Sequence, residues 1–177
     1  MRASNQFADA TTGVVYVHSS PAAVCPHIEW ALASTLDSRP DLTWTGQPAG
    51  EGQLRTSVEW TGPVGTAARL VEALRVWPML RFEITENPSE GVDGERYSYA
   101  PQLGLWRGNT SANGDVVIGE MRLRAMLASA DVEGEIHRCL GTAWDDELEP
   151  YRSGDDGAQV TCFAATSVDR GSSAIRA

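Results

Sequence analysis

QLRTSVEWT, residues 53 to 61, alternates without a break. Leu54, Thr56, Val58 and Trp60 fall on one side of an extended chain, and Arg55, Ser57 and Glu59 fall on the other. A period of two marks a β-strand with one buried and one wetted face. A sheet made of such strands takes helices on one side only, which selects the α+β class.

The neighbouring segments repeat the signal. Upstream, Gly13 to Ser19 is apolar and β-branched, a second strand. Ser20-Pro21 then supplies an N-cap and a first-turn proline for a helix to about Leu36, with Val24, Ile28, Ala31 and Thr35 on one face. Pro26 marks a possible second start of that helix. Asp41 to Thr45 reads as a short strand with Leu42 and Trp44 on one side. Downstream, Pro63 opens a helix to about Trp77, buried through Val64, Ala67, Ala68, Val71 and Leu74. Leu80 to Thr85 is another alternating strand, with Leu80, Phe82 and Ile84 inward. The order is βαββαβ, the ferredoxin-like arrangement. Arg55, Glu59, Arg81 and Glu83 mark its wet face, which is free to stay solvated or to meet a second copy in a homodimer.

The second half adds a strand meander, Arg96 to Tyr99, Leu103 to Arg107 and Asp115 to Ile118, turned by Pro101-Gln102 and Asn113-Gly114. Two C-terminal helices, about 119 to 129 and 132 to 150, and a final strand near 158 to 165 complete the pattern. Residues 1–12 and 167–177 read as disordered tails around a single α+β domain, 13–166.

All 14 basic residues are arginine; the chain has no lysine. That closes off Schiff-base chemistry, a lysine-bearing P-loop and carried biotin or lipoamide, so no cofactor is implied. A net charge of −10, with arginines scattered, repels phosphate backbones and anionic lipid, so neither nucleic acid nor a membrane is expected as a partner. Apolar runs fall far short of the roughly 20 residues of a membrane helix, and the N-terminus carries no signal-peptide pattern. Cys25, Cys139 and Cys162 are an odd set without CxxC, which reads as reduced thiols of a cytoplasmic protein.

Six segments together carry a resemblance: GVVYVHSSP (13–21), CPHIEWAL (25–32), TGPVGTAARL (61–70), RFEITENPS (81–89), DGERYSYAPQLG (93–104) and GTAWDDELEPYR (141–152). The chain resembles the actinobacterial domain of unknown function 3145 family over roughly residues 13 to 165. The resemblance implies a cytoplasmic actinobacterial protein with a link to fatty-acid metabolism. It brings no catalytic residues with it.

Four segments are candidate sites. The His18-Ser19-Ser20 turn runs into Cys25 and His27 at a helix N-terminus, where exposed amides favour an anion. His18, Cys25, His27 and His137 form an alternative soft-metal set, although H-x6-C-x-H matches no established zinc spacing. Nothing in the sequence orients a Cys–His nucleophile. TGPVGT (61–66), between strand and helix, offers glycines and Thr66 to a phosphate, or ordinary turn chemistry. Tyr97 and Tyr99 share a strand face opposite Arg96 and Ser98, placed either to stack a flat ligand or to fill the core.

The last candidate is acidic. Between Asp131 and Asp156 stand nine acids against two arginines. One helix through Glu149 would place acids at its negative end. A break at Leu140-Gly141, with Thr142-x-x-Asp145 as a capping box, places them at a positive start instead. The functional reading is an acidic-aromatic patch: Trp144, Asp145, Asp146, Glu147, Glu149 and Tyr151 offered to a protein partner with a basic surface. A magnesium site on Asp145, Asp146 and Glu147 fits worse, because adjacent helical side chains point about 100° apart.

Two function classes follow. The first is a non-enzymatic interaction or regulatory module using the acidic-aromatic patch. The second is a binder of an anionic metabolite, coenzyme A-like or nucleotide, or an enzyme acting on one. Its pocket would lie between His18-Ser19-Ser20 and Tyr97/Tyr99, with Arg96 contributing charge.

Overall fold

The computed structural model describes residues 10–152. Its first half runs β1 (Ala10–Pro21), α1 (Cys25–Leu36), β2 (Thr45–Gly46), β3 (Gln53–Pro63), α2 (Thr66–Leu74) and β4 (Arg81–Glu86). These strands stand in the order β2-β3-β1-β4 with every pair antiparallel, the ferredoxin-like order. The second half extends the same sheet. β5 (Gly94–Ala100), β6 (Gly104–Thr110) and β7 (Val116–Val117) continue outward from β4 to give seven strands. Helices α3 (Glu120–Leu127), α4 (Val132–Leu140) and α5 (Thr142–Arg152) follow. Among the described residues no helix is long and apolar enough to cross a membrane.

The alternation read from the sequence builds the core. Val15 and Val17 of β1, Trp60 of β3, Phe82 and Ile84 of β4 and Tyr97 of β5 share one sheet face. Ile28 and Leu32 of α1 and Leu70, Val71 and Leu74 of α2 pack against them. Burying each such side chain contributes on the order of 1.5–3 kcal/mol. Gly13 sits in the centre of this sheet because a Cβ there would meet the Thr85 carbonyl and the Trp60 ring.

Several boundaries move. β1 starts at Ala10 and continues to Pro21, with its register shifting after Val17. Ser20 therefore belongs to the strand and not to a helix cap; α1 begins at Cys25 with Pro26 in its first turn, where a missing N–H costs nothing. α2 begins at Thr66, after Gly65 in the left-handed region (φ 89°), which leaves Val64 outside the helix and exposed. Of the expected 41–45 strand only Thr45 joins the ladder, followed by Gly46, yet Leu42 and Trp44 still pack on the core.

The break expected at Leu140-Gly141 divides the 132–150 stretch into two helices. Gly141 adopts φ 76°, ends α4 and lets the chain turn, and a Cβ there would stand 2.7 Å from the Trp106 ring. One larger expectation needs correction: the second sheet face is not wholly wet. Glu83 is only 5% exposed and Arg96 is buried, because α5 crosses that face, while Glu59 stays exposed. The expected final strand and C-terminal tail lie outside the described residues, as do residues 1–9 of the expected N-terminal tail.

Candidate functional site

β1, β4 and β5 lie side by side, so His18, Glu83, Arg96 and Ser98 meet on the face opposite α1 and α2. Helix α5 closes over them. Its residues Asp145, Leu148 and Arg152 are three and four apart, one stripe of a helix. Leu148 is fully buried between the two charged ends of the stripe.

Glu83 is the hub. Its Oε2 lies 2.8 Å from His18 Nε2 and accepts from Arg152 Nε at 2.8 Å. Its Oε1 accepts from Arg152 NH2 at 2.6 Å and from the Ser98 hydroxyl at 3.1 Å. Arg152 NH2 also donates to Asp145 Oδ1 at 2.8 Å, and Arg96 pairs with the same carboxylate oxygen. Arg96 Nε stands 3.6 Å from Glu83 Oε1, and its guanidinium lies over the Trp106 ring. Gln47 ties the margin by donating from Nε2 to the carbonyls of His18 (2.6 Å) and Tyr151 (3.1 Å).

The electrostatics follow from this geometry. Burial works to raise the Glu83 pKa, but the hydrogen bonds and charges of His18 and Arg152 outweigh it and hold the carboxyl well below the ordinary range. Burial likewise opposes the charge on Arg152, and the bonds to Glu83 and Asp145 overcome it. Two carboxylates, two guanidiniums and a histidine thus compensate one another between sheet and helix. The arrangement is an ionic clamp on α5.

The clamp uses the acids that the sequence offered to a partner. Asp145 faces Arg96 and Arg152, away from the capping-box position, while the Thr142 hydroxyl meets His137 Nδ1 at 3.1 Å. Glu147 pairs with Arg81 at 3.0 Å, and the Arg81 guanidinium lies 4.4 Å over the Tyr151 ring. Trp144 donates from Nε1 to the Gly104 carbonyl at 2.9 Å. Glu149 reaches Arg152 at 3.5 Å while remaining exposed, and Asp146 is exposed. The expected acidic-aromatic surface is therefore mostly an inward face, because Arg81 and Arg96 on the sheet pair with Glu147 and Asp145.

The expected ligand pocket divides in two. His18 is beside Glu83, whereas Tyr97 and Tyr99 are on the opposite face, Tyr97 in the core and Tyr99 stacked 5.0 Å from Phe82. Strand alternation separates them, since Arg96 and Ser98 point one way and the two tyrosines the other. Burial and Glu95 raise the Tyr97 pKa. Ser19 and Ser20 are buried, with Ser19 donating to Gln53 Oε1 at 3.2 Å and Ser20 to the Pro21 carbonyl at 3.2 Å.

The soft-metal set does not assemble. His18 lies against Glu83, His27 near Trp77 and His137 against Thr142, and Cys25 contacts Ser20. Among the described residues no three His, Cys, Asp or Glu side chains are grouped to hold a metal. At TGPVGT an anion is indeed held, but it is the protein's own: the Glu86 carboxylate accepts from Gly65 N at 2.7 Å and Ala67 N at 2.8 Å.

The sequence reading missed Glu83, Ser98 and Arg152 as members of one cluster. The available signal was the Asp145-x2-Leu148-x3-Arg152 spacing, an apolar residue between charges on one helical stripe.

A family model described as Protein of unknown function (DUF3145) matches residues 14–165. No curated protein and no solved structure matches the chain.

Proposed function

We propose, for a chain that belongs to the DUF3145 family, a non-catalytic interaction module whose α3–α5 side receives a protein partner with basic residues around an apolar anchor. The observation that supports this reading is the seating of α3. This eight-residue helix buries one side chain, Met126, while Met121 (79%) and Leu127 (78%) stand exposed. An isolated helix this short is marginal in water. A partner laid over Leu123 and Leu127, four apart on one stripe of the helix, adds the apolar burial that the sheet does not provide. The net charge of −10 favours a basic partner and disfavours an acidic carrier protein. The odd, reduced cysteine set and the acidic composition favour a cytoplasmic setting. The link to fatty-acid metabolism implied by the family resemblance says where to look for the partner.

The test compares wild type, Leu123→Glu/Leu127→Glu and, as a control on a different helix, Trp30→Ala in crosslinking and pulldown from native lysate, with mass measurement of the purified protein alone. The expected outcome is a crosslinked species, formed by wild type and the control, that the α3 double variant loses while keeping its fold. Retention of every captured species by the double variant refutes the surface. A wild-type dimer abolished by the same variant would make the occupant a second copy.

A further inference from the structure

A cavity of about 360 Å³ opens between β6, β7 and the helical layer, lined among others by Arg107, Asn109, Val116, Val117, Ile118 and Arg122. Its size falls within the range of small-ligand sites. Its chemistry runs against the rest of the chain. The protein carries −10, yet two arginines line this cavity and no carboxylate does. Arg107 is oriented by its pair with Glu95 and lies over the Tyr97 ring. The nearest acid in the α3 sequence, Glu120, is taken up by Arg124. Among the described residues no acid pairs with Arg122. Gly119 lines the same wall, and no side chain caps the helix start that follows it.

We infer that this cavity binds a small amphiphilic anion, a phosphate monoester or carboxylate with a short apolar body. Arg122 takes the anionic head, Asn109 adds a donor, and Val116, Val117 and Ile118 line the apolar part. The Arg122 guanidinium can meet phosphate or carboxylate oxygens two at a time, while Arg107 is held by Glu95. The cavity shares α3 with the docking surface proposed above, through Arg122, but its size suits a small molecule. An anion-binding role is thereby placed at β6–β7, away from His18 and Ser20.

The experiment is an NMR titration of the full chain with butyl phosphate, inorganic phosphate and butanol. Arg122→Gln and Arg69→Gln serve as charge-matched variants, the latter on the exposed surface of α2. Wild type is expected to show saturable amide shifts confined to residues 107–109 and 116–122, with butyl phosphate binding more tightly than either half. Arg122→Gln should weaken it by about tenfold or more, as expected for one charge-assisted hydrogen bond, with the rest of the spectrum unchanged. Arg69→Gln should match wild type. No saturable shift, or equal weakening by both variants, overturns the site. Inorganic phosphate binding as tightly as butyl phosphate overturns the apolar half of the ligand.

Discussion

Arg152 grips both carboxylate oxygens of Glu83, Nε at 2.8 Å from Oε2 and NH2 at 2.6 Å from Oε1. The residues lie 69 positions apart, and this two-point contact fixes the end of α5 to the middle of the sheet. A planar fork meeting a planar carboxylate sets orientation as well as distance. α5 has one fully buried apolar side chain, Leu148, so its placement rests on this pair more than on a conventional apolar seam.

Breaking the pair from either side leaves a buried charge uncompensated. Glu83→Ala and Arg152→Ala should each lower unfolding stability by about 3–5 kcal/mol. Arg152→Lys should recover only part of the loss, because an ammonium cannot span both oxygens. Urea unfolding followed by tryptophan fluorescence measures all three. A loss below about 1 kcal/mol in both alanine variants would mean that the clamp is ornamental.

Acid should release the clamp in a defined window. The folded carboxyl of Glu83 sits well below its ordinary value of 4.5. On acidification the unfolded chain therefore takes up this proton first. The ionised Glu83 contributes its full stability above pH 4.5 and loses about 1.4 kcal/mol per pH unit below it. The stability difference between wild type and Glu83→Gln should shrink as the pH falls from 4.5 to 3. A difference still constant at pH 3 contradicts the assignment.

Glu86 should behave as a built-in anion for α2. Its two oxygens satisfy Gly65 N and Ala67 N, donors that a helix start otherwise leaves open. Glu86→Ala buries those donors without a partner and should cost about 1–3 kcal/mol. Glu86→Gln keeps an acceptor but loses the charge and should fall between the two. Denaturation midpoints of the three proteins decide the order.

What was legible in the sequence was periodicity. Leu54 to Trp60 and Leu80 to Ile84 declared their inward face, and the ferredoxin-like order followed from their sequence among helices. What was not legible was the covering of the second face. Arg55 and Glu83 look alike in an alternating strand, and only the return of a distant helix makes one of them a hub. The same reason hid the fate of Asp145 and Glu147. A run of acids announces negative charge, but its arginine partners come from strands 49 and 66 positions earlier. The placement of Tyr97 against Arg96 was legible as alternation, and the ligand pocket drawn through both ignored it.

Gly141 should be the most sensitive glycine of the helical layer. It holds φ 76° between α4 and α5, and its missing side chain leaves room for the Trp106 ring 2.7 Å from where a Cβ would stand. That ring is anchored in turn, donating from Nε1 to the Arg138 carbonyl at 3.1 Å. Gly141→Ala adds left-handed strain and displaces the indole, so it should cost more than about 1 kcal/mol and redshift tryptophan emission. Gly91, also at positive φ (74°) but with open space at its Cβ, is the control. Gly91→Ala carries the backbone strain without the clash, so it should destabilise less and leave the emission unchanged. Equal losses at the two positions would show that Trp106 yields freely and that the α4–α5 turn does not depend on it.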